Sequence, residues 1–186
     1  MFEAITASIQ KLGCYSAEDI TVFCSKLKQA TIQKGDQLLK AGKVCRSFYF
    51  LNSGSCRLYS INEAGEESTV NFFITGDWVS DQESFVSQNP SKNNIEAFET
   101  CDVYELDVLS IHELIGQRQP FFQLGKLIGQ VQPPGYVNDT RSPDKKYEAL
   151  LQHKPQLVQI FPLKYLASYL RMTPETLSRV RRRVTL

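Results

Sequence analysis

The stretch FPLKYLASYLRMTPETLSRVRRRV, residues Phe161 to Val184, contains two short amphipathic segments separated by a tight turn. In the first segment Pro162 suits the opening turn of a helix. Four apolar residues then recur at the i, i+3, i+4, i+7 spacing of one buried helix face. They are Leu163, Leu166, Ala167 and Leu170. Because Ala167 is small, a second helix can cross the first closely, and the spacing predicts such a pair.

The second segment begins with a helix-start signal, since Thr173 is a good N-cap and Pro174 suits the first helical position. The residues expected to face inward are Leu177, Val180 and Val184. The outward row, again at helical spacing, is Glu175, Ser178, Arg179 and Arg182. Two helices with a tight turn, the second polar and basic outside, are typical of a helix-turn-helix.

The outward row has the chemistry of a surface that reads DNA bases. Arginine pairs bidentately with guanine O6 and N7, and glutamate accepts a hydrogen bond from cytosine N4. Arg181 and Arg183 fall off the row and suit phosphates better. The predicted DNA-binding set is Thr173, Glu175, Thr176, Ser178, Arg179, Arg182 and Arg183. The alternative interpretation is a solvated basic helix.

The charge distribution favours a nucleic-acid partner over a solvated helix. The whole chain has a formal net charge of +1, yet residues 160–186 carry six basic side chains and one acidic side chain. The remaining residues are therefore mildly acidic. A basic segment on such a body is typical of a protein that binds a polyanion, and we expect double-stranded DNA.

The preceding sequence predicts helices, then strands, then helices. Residues 1–28 predict two helices, with Ser16 as N-cap and Asp19 close to a capping box. Short strands with turns between residues 30 and 107 favour a sandwich or a barrel-like roll, with a short helix at Ser80–Val86. Residues 108–128 again predict helix, and the fold class is α+β.

A linker is predicted where Pro133-Pro134-Gly135 cannot continue a helix. Three domains are expected. Residues 1–107 form a β-roll with N-terminal helices, residues 108–142 a dimerisation helix and hinge, and residues 143–186 the helix-turn-helix.

The sequence gives little support for a membrane protein, a secreted protein or an enzyme. There is no apolar run of about 20 residues for a membrane helix and no signal-peptide pattern, so we expect a cytoplasmic protein. His112 and His153 have no nucleophile or metal partner nearby in sequence, and there is no P-loop or GxGxxG motif. We therefore predict neither catalytic residues nor a metal site.

The cysteine spacing excludes a zinc or iron–sulfur motif. The number of cysteines is odd, which disfavours a disulfide framework. We interpret them as buried or incidental thiols, with a redox switch as the alternative. The five are Cys14, Cys24, Cys45, Cys56 and Cys101.

The helix-turn-helix, together with LNSGSCRLY around Gly54 and FFITGDW around Gly76, resembles the cyclic-AMP receptor protein/Fnr (Crp/Fnr) family of bacterial transcription regulators. The resemblance implies a cyclic-nucleotide-binding β-roll, a homodimer joined along a long helix, and a near-palindromic DNA site. It places Glu175 and Arg179 where family members carry base-reading residues. The oxygen-sensing branch, with clustered N-terminal cysteines around an iron–sulfur cluster, does not fit Cys14 and Cys24 alone.

The nucleotide pocket of that family is degenerate in this sequence. Family members that bind cyclic nucleotide have a Gly-Glu pair and an arginine, and these positions correspond here to Ser80, Asp81 and Ser91, with Lys92 beside them. Lysine can supply charge but not the bidentate fork of arginine. The candidate ligand pocket is Gly76, Ser80, Asp81, Ser91 and Lys92. Cyclic nucleotide, a different ligand and no ligand all remain open.

Two further departures concern the dimer helix and the DNA-binding unit. The proline pair shortens or breaks the dimer helix, although an apolar set supports a dimer unless it packs on the roll: Phe121, Phe122, Leu124, Leu127 and Ile128. Arg171 occupies a turn position that is often glycine, and if that position needs a positive φ, arginine costs about 1 kcal/mol. The wing that often follows such motifs is expected to be minimal or absent.

Two functions follow from the sequence. The first is a DNA-binding transcription regulator whose roll senses a different ligand or none. The alternative is a ligand-binding or interaction module whose helix-turn-helix no longer binds DNA productively.

Overall fold

A computed structural model describes residues 2–130 and 140–184 of the chain. Its contacts divide these residues into two compact units, one formed by residues 2–57 with 73–130 and the other by residues 58–72 with 140–184. The domain boundaries drawn from the sequence stay a prediction. Pro133-Pro134-Gly135 lies outside the described residues. Within them, no helix is long and apolar enough to cross a bilayer.

Both predicted N-terminal helices form, and the second begins at its predicted capping signal. α1 spans Glu3–Gln10 and α2 spans Ala17–Ser25. The Ser16 N–H donates to Asp19 Oδ2 at 2.8 Å, and the Asp19 N–H donates to Ser16 Oγ at 3.1 Å. This reciprocal pair satisfies two of the unpaired N–H groups at the helix start, so the predicted capping box is confirmed.

The described strands form two four-stranded sheets with the orders β1-β8-β3-β6 and β2-β7-β4-β5. Their bounds are β1 Lys28–Ile32, β2 Gln37–Leu39, β3 Ser47–Ser53, β4 Ser55–Ile61, β5 Glu67–Ile74, β6 Trp78–Val79, β7 Asn93–Ala97 and β8 Cys101–Asp107. Neighbours in the first sheet are antiparallel, and Phe50 on β3 pairs with both Tyr104 and Trp78. The predicted β-roll, a jelly-roll-like fold, is confirmed.

The core of the first unit is aromatic and aliphatic. Phe48 and Phe50 are buried, and their rings meet Trp78 edge-on at centroid distances of 6.4 and 5.3 Å. Such edge contacts add to the free energy gained by burying the rings.

The helices that follow the strands differ from the sequence-based expectation in one respect. α3 spans Gln82–Ser87 and α4 spans Val108–Gln117, as predicted. The segment after α4 was predicted as α-helix, but it begins as a 3₁₀ helix at Gln119–Gly125. The α-helix α5 follows at Lys126–Gln130.

Most of the apolar set that was expected to support a dimer lies inside the first unit. Phe121, Leu124 and Leu127 are buried there, so these three are not exposed to a partner. Ile128 is half-buried. Phe122 remains 64% exposed and is still available to a partner.

The second unit combines helices with the β4–β5 hairpin, residues 58–72. Its helices are α6 Pro143–His153, α7 Leu157–Ile160, α8 Leu163–Tyr169 and α9 Pro174–Val184. The sequence predicted α6, α8 and α9 but not α7. The described residues 140–184 contain no strand.

Candidate functional site: the helix-turn-helix and the roll cavity

The helix pair packs through the residues that the spacing selects. Leu166, Ala167 and Leu170 on the first segment, with Leu177 and Val180 on α9, are fully buried. The two outermost positions of the predicted faces are half-buried: Leu163 and Val184. The inward face is therefore confirmed, and it fixes which side of α9 points outward.

The turn between α8 and α9 is a Schellman motif in which an arginine takes the left-handed position. The Met172 N–H donates to Ala167 O at 3.0 Å, and the Arg171 N–H donates to Ser168 O at 3.1 Å. The φ of Arg171 is +57°, so the position does need a positive φ. The Arg171 side chain also donates from Nη1 to Ser68 Oγ at 2.6 Å, a bond that glycine could not make.

The β4–β5 hairpin holds the first helix of the pair. The Thr69 N–H donates to Ser168 Oγ at 2.9 Å. The Phe72 ring lies 4.0 Å from the ring of Phe161 and 5.1 Å from that of Tyr169, measured between centroids. Sequence reasoning missed these contacts because the partners are about a hundred residues apart and no local pattern links them.

The outward row of α9 forms one continuous polar surface. Glu175, Ser178, Arg179 and Arg182 line the same surface depression. Of these, Ser178 is half-buried and the other three are exposed. The pKa of Glu175 is held below its usual range, first by the backbone N–H at the helix start and then by Thr173 and Arg179. Glu175 is therefore an ionised acceptor beside arginine donors at neutral pH.

The other three predicted DNA-binding residues make contacts within the unit. Thr173 Oγ1 accepts the Thr176 N–H at 3.2 Å, and the two hydroxyls are 3.1 Å apart. Thr173 is thus the N-cap that the sequence predicted. Arg183 donates from Nη2 to Asp144 Oδ1 on α6 at 2.6 Å. Both side chains of this ion pair are substantially exposed, so it contributes little to stability.

The polar residues of the roll that correspond to the nucleotide pocket bond to one another. Asp81 is buried as the N-cap of α3. Its Oδ2 accepts from Ser91 Oγ at 2.5 Å and from Asn93 Nδ2 at 3.0 Å. The Ser84 N–H lies 3.4 Å from its Oδ1. The Asp81 carboxylate therefore accepts three hydrogen bonds from within this chain, and Asn93 is a member of the cluster that the sequence did not reveal.

The five predicted pocket residues do not converge on one site. A cavity of 210 Å³ is lined by Asp81, Ser91 and Lys92, but Gly76 and Ser80 are not among its lining residues. Ser80 is fully buried, with its Oγ 3.2 Å from both Ser47 O and Cys45 Sγ. Gly76 lies in an exposed turn with φ +91°.

The cavity is small and carries the wrong charge for a phosphate. Its volume is below the roughly 300 Å³ at which ligand pockets begin. Asp81 and Glu83 line it together with Lys92, so carboxylates outnumber cations. Like charges close to a cyclic phosphate would weaken its binding. Among the described residues there is no cluster of histidine, cysteine or carboxylate side chains that could hold a metal ion.

Comparison with known proteins defines the class of the roll. Residues 29–118 match the family model for the cyclic nucleotide-binding domain. Over 90 residues the chain is 36% identical to the fumarate and nitrate reduction regulatory protein of Vibrio cholerae, covering 48% of this chain and 35% of that relative. The chain thus matches about a third of the length of this curated relative.

Solved structures resemble most of the chain in fold, including residues outside the matched domain. FixK2 from Bradyrhizobium japonicum has a TM-score of 0.67 at 14% identity, covering 86% of this chain and 84% of FixK2. The catabolite activator protein of Thermus thermophilus has a TM-score of 0.53 at 16% identity, covering 91% and 84%.

Residues 29–118 are therefore a cyclic nucleotide-binding domain, and the chain shares its fold with FixK2 and with the catabolite activator protein. The relative matched over this domain is a fumarate and nitrate reduction regulatory protein, and a structural neighbour from Eubacterium rectale, 16% identical with a TM-score of 0.61, is a regulator of the Crp/Fnr family.

Proposed function

We propose that the protein is a sequence-specific DNA-binding transcription regulator of the Crp/Fnr type. One observation carries the proposal. On α9, a helix fixed by buried Leu177 and Val180, the row Glu175, Ser178, Arg179 and Arg182 faces outward along one surface. A helix of this width enters the DNA major groove, and these side chains are the ones that reach base edges.

The proposed contacts divide into two kinds. Glu175 and Arg179 read bases, with Ser178 and Arg182 beside them on the same surface. Thr173, Thr176 and Arg183 lie off the row and position the helix on the phosphates. For Arg183 this means exchanging Asp144 for a phosphate, which costs little because the ion pair is exposed.

A second copy of the chain is the proposed partner in DNA binding. Two exposed apolar side chains of the first unit support this, Leu109 on α4 and Phe122 in the 3₁₀ helix. A nearby groove is lined mainly by apolar residues of α3, α4 and α5: Phe85, Val86, Val108 and Ile128. A dimer would bind two half-sites about one helical turn, roughly 34 Å, apart.

The proposed location of the protein is the cytoplasm, where a bacterial DNA-binding protein meets its DNA.

The proposed effector of the roll is not a cyclic nucleotide but a different ligand or none. The Asp81 carboxylate already has partners in Ser91 and Asn93, and among the described residues that line the cavity Lys92 is the single cation. Calorimetric titration with cyclic AMP and cyclic GMP should give no binding heat at micromolar protein. Saturable binding in that range would overturn this part of the proposal.

The proposal is tested by selecting binding sites from random duplex DNA at about 150 mM salt, where weak non-specific binding is suppressed. We expect enrichment of a near-palindrome with half-sites one turn apart. The alternative, an interaction module that no longer binds DNA, predicts no enrichment. The turn geometry does not favour that alternative, because Arg171 closes the Schellman turn and is held by Ser68.

A further inference from the structure

We propose that Cys56 and Cys101 form a two-electron redox site that closes to an intramolecular disulfide. Cys56 lies on β4 and Cys101 is the first residue of β8. Their Sγ atoms are 3.8 Å apart, and both side chains are fully buried. The site is separate from the helix-turn-helix and from the roll cavity, and it goes beyond the proposed function.

The two cysteines face each other from different sheets of the roll. β4 belongs to the sheet β2-β7-β4-β5 and β8 to the sheet β1-β8-β3-β6. A disulfide has an S–S length near 2.05 Å, so from 3.8 Å closure shortens the separation by about 1.8 Å. Shared between two side chains, this is a displacement of about 0.9 Å each, which a χ1 rotation of about 30° on each side chain supplies.

The local backbone holds Cys101 in place for this contact. A Cβ atom at Gly54, on the turn between β3 and β4, would lie 2.7 Å from Cys101 Sγ, so only glycine lets that turn approach so closely. Cys101 Sγ also lies 3.3 Å from Ser55 O and 3.1 Å from Glu99 O. The sulfur is therefore enclosed on these sides, and Cys56 is the thiol within its reach.

The pair is electronically unequal. A hydrogen bond from the Cys56 thiol lowers the pKa of Cys101, whereas the same bond and burial raise the pKa of Cys56. Cys101 is assigned as the sulfur that reacts first because it lies next to an exposed turn, and it reacts as the thiolate, which is the nucleophile. Glu99 and Thr100, which directly precede it, are exposed, so a small oxidant reaches Cys101 by a local opening of this turn.

The reaction uses hydrogen peroxide as the oxidant. The Cys101 thiolate attacks the terminal peroxide oxygen, the O–O bond breaks, and protonation of the leaving oxygen releases water, leaving a sulfenic acid on Cys101. The Cys56 sulfur then attacks the Cys101 sulfur, the S–O bond breaks, and the hydroxyl leaves as a second water with the Cys56 proton. Two thiols are oxidised to one disulfide, and one peroxide is reduced to two waters.

The other described cysteines have different surroundings. The Cys45 Sγ lies against Ser80 Oγ at 3.2 Å and Ser47 O at 3.6 Å. Cys14 is exposed and Cys24 is half-buried. A cross-link between Cys56 and Cys101 would tie β4 to β8, and β4 is the strand that continues into the β4–β5 hairpin.

The test is to treat the full chain with hydrogen peroxide, alkylate the remaining thiols, and map peptides by mass spectrometry. We expect a monomeric product lighter by two hydrogens, in which the Cys56 and Cys101 peptides are joined, and a dithiol should restore both thiols. Cys56→Ser should leave a sulfenic acid on Cys101 that dimedone traps. Cys101→Ser should leave Cys56 reduced, and Cys14→Ser should retain the cross-link.

Three results would overturn the proposal. One is that Cys56 and Cys101 stay reduced while exposed Cys14 is oxidised. The others are that either cysteine joins a different cysteine, or that chains are linked to each other. If the serine variants do not fold, the peptide map of the unsubstituted chain decides on its own.

Discussion

The outer face of α9 and the Asp81 cluster of the roll are both rich in polar residues, but they use those residues in opposite ways. On α9 the row Glu175, Ser178, Arg179 and Arg182 lies along an open surface. In the roll, Asp81, Ser91 and Asn93 are turned inward onto one another. A polar group that already has its partners stabilises the fold, whereas an exposed row of donors and acceptors is available to a ligand. The difference supports the proposal that α9 recognises DNA and that the Asp81 cluster has a structural role.

The most direct test of this difference is a single alanine substitution in each region. Asp81→Ala removes the acceptor for Ser91 and Asn93 and the N-cap of α3, which should lower the free energy of unfolding by about 1–3 kcal/mol. Urea denaturation measures the loss. Arg179→Ala is the matched control and should change stability by no more than about 0.5 kcal/mol. Equal costs in the two variants would mean that the regions do not differ in this way.

The turn offers a test of intermediate size, because the φ of Arg171 is +57°. Arg171→Ala keeps the strained backbone and loses the Ser68 bond, while Arg171→Gly loses the bond but relieves the strain. The glycine variant should therefore be more stable than the alanine variant by about 1 kcal/mol in thermal or urea unfolding. Ser68→Ala isolates the cost of the bond. Identical stabilities for the glycine and alanine variants would contradict the account of the turn.

The smallest expected effect is a pH dependence in the first unit. Lys28 Nζ donates to Asp107 Oδ2 at 2.7 Å, and the Ser110 N–H donates to Asp107 Oδ1 at 2.8 Å. These bonds hold the pKa of Asp107 below its usual range, the Lys28 bond contributing most. Because the folded pKa is lowered, this stabilisation is present at neutral pH and is lost as the pH falls below about 4, through the lowered pKa.

Asp107→Asn keeps a capping side chain but cannot ionise. Its free energy of unfolding should fall less than that of the unsubstituted chain between neutral pH and pH 3 (roughly one to two pH units below the usual range of a carboxyl group). Asp36→Asn, at an exposed side chain, is the control and should follow the unsubstituted chain. Parallel curves for all three proteins would show that Asp107 makes no such contribution.

The sequence predicted those features that depend on neighbours a few residues apart. The capping box of Ser16 and Asp19, the buried face of α8 and the N-cap Thr173 all follow from spacing within one helix. The family resemblance added the roll, which strand patterning alone left open between a sandwich and a barrel-like roll. Local pattern is sufficient where the interacting groups share an element.

Features that depend on distant residues were missed. Nothing near Asp81 indicates that Asn93 completes its hydrogen bonds, and nothing near Ser168 indicates that Thr69 reaches it. The burial of Phe121 and Leu127 was likewise open, since an apolar helix face serves a dimer or a core equally well. The contact between Cys56 and Cys101 joins two strands that no spacing rule connects.

The central claim is that the outward row of α9 reads bases, and the most direct measurement compares two arginine variants on two DNAs. Binding of Arg179→Ala and Arg183→Ala is measured across a salt series on the enriched duplex and on a shuffled duplex. Arg179→Ala should lose about 1–3 kcal/mol of binding free energy on the enriched site only. Arg183→Ala should weaken both duplexes alike and flatten the salt dependence. If Arg179→Ala weakens both duplexes equally, α9 does not read the sequence and the account is wrong.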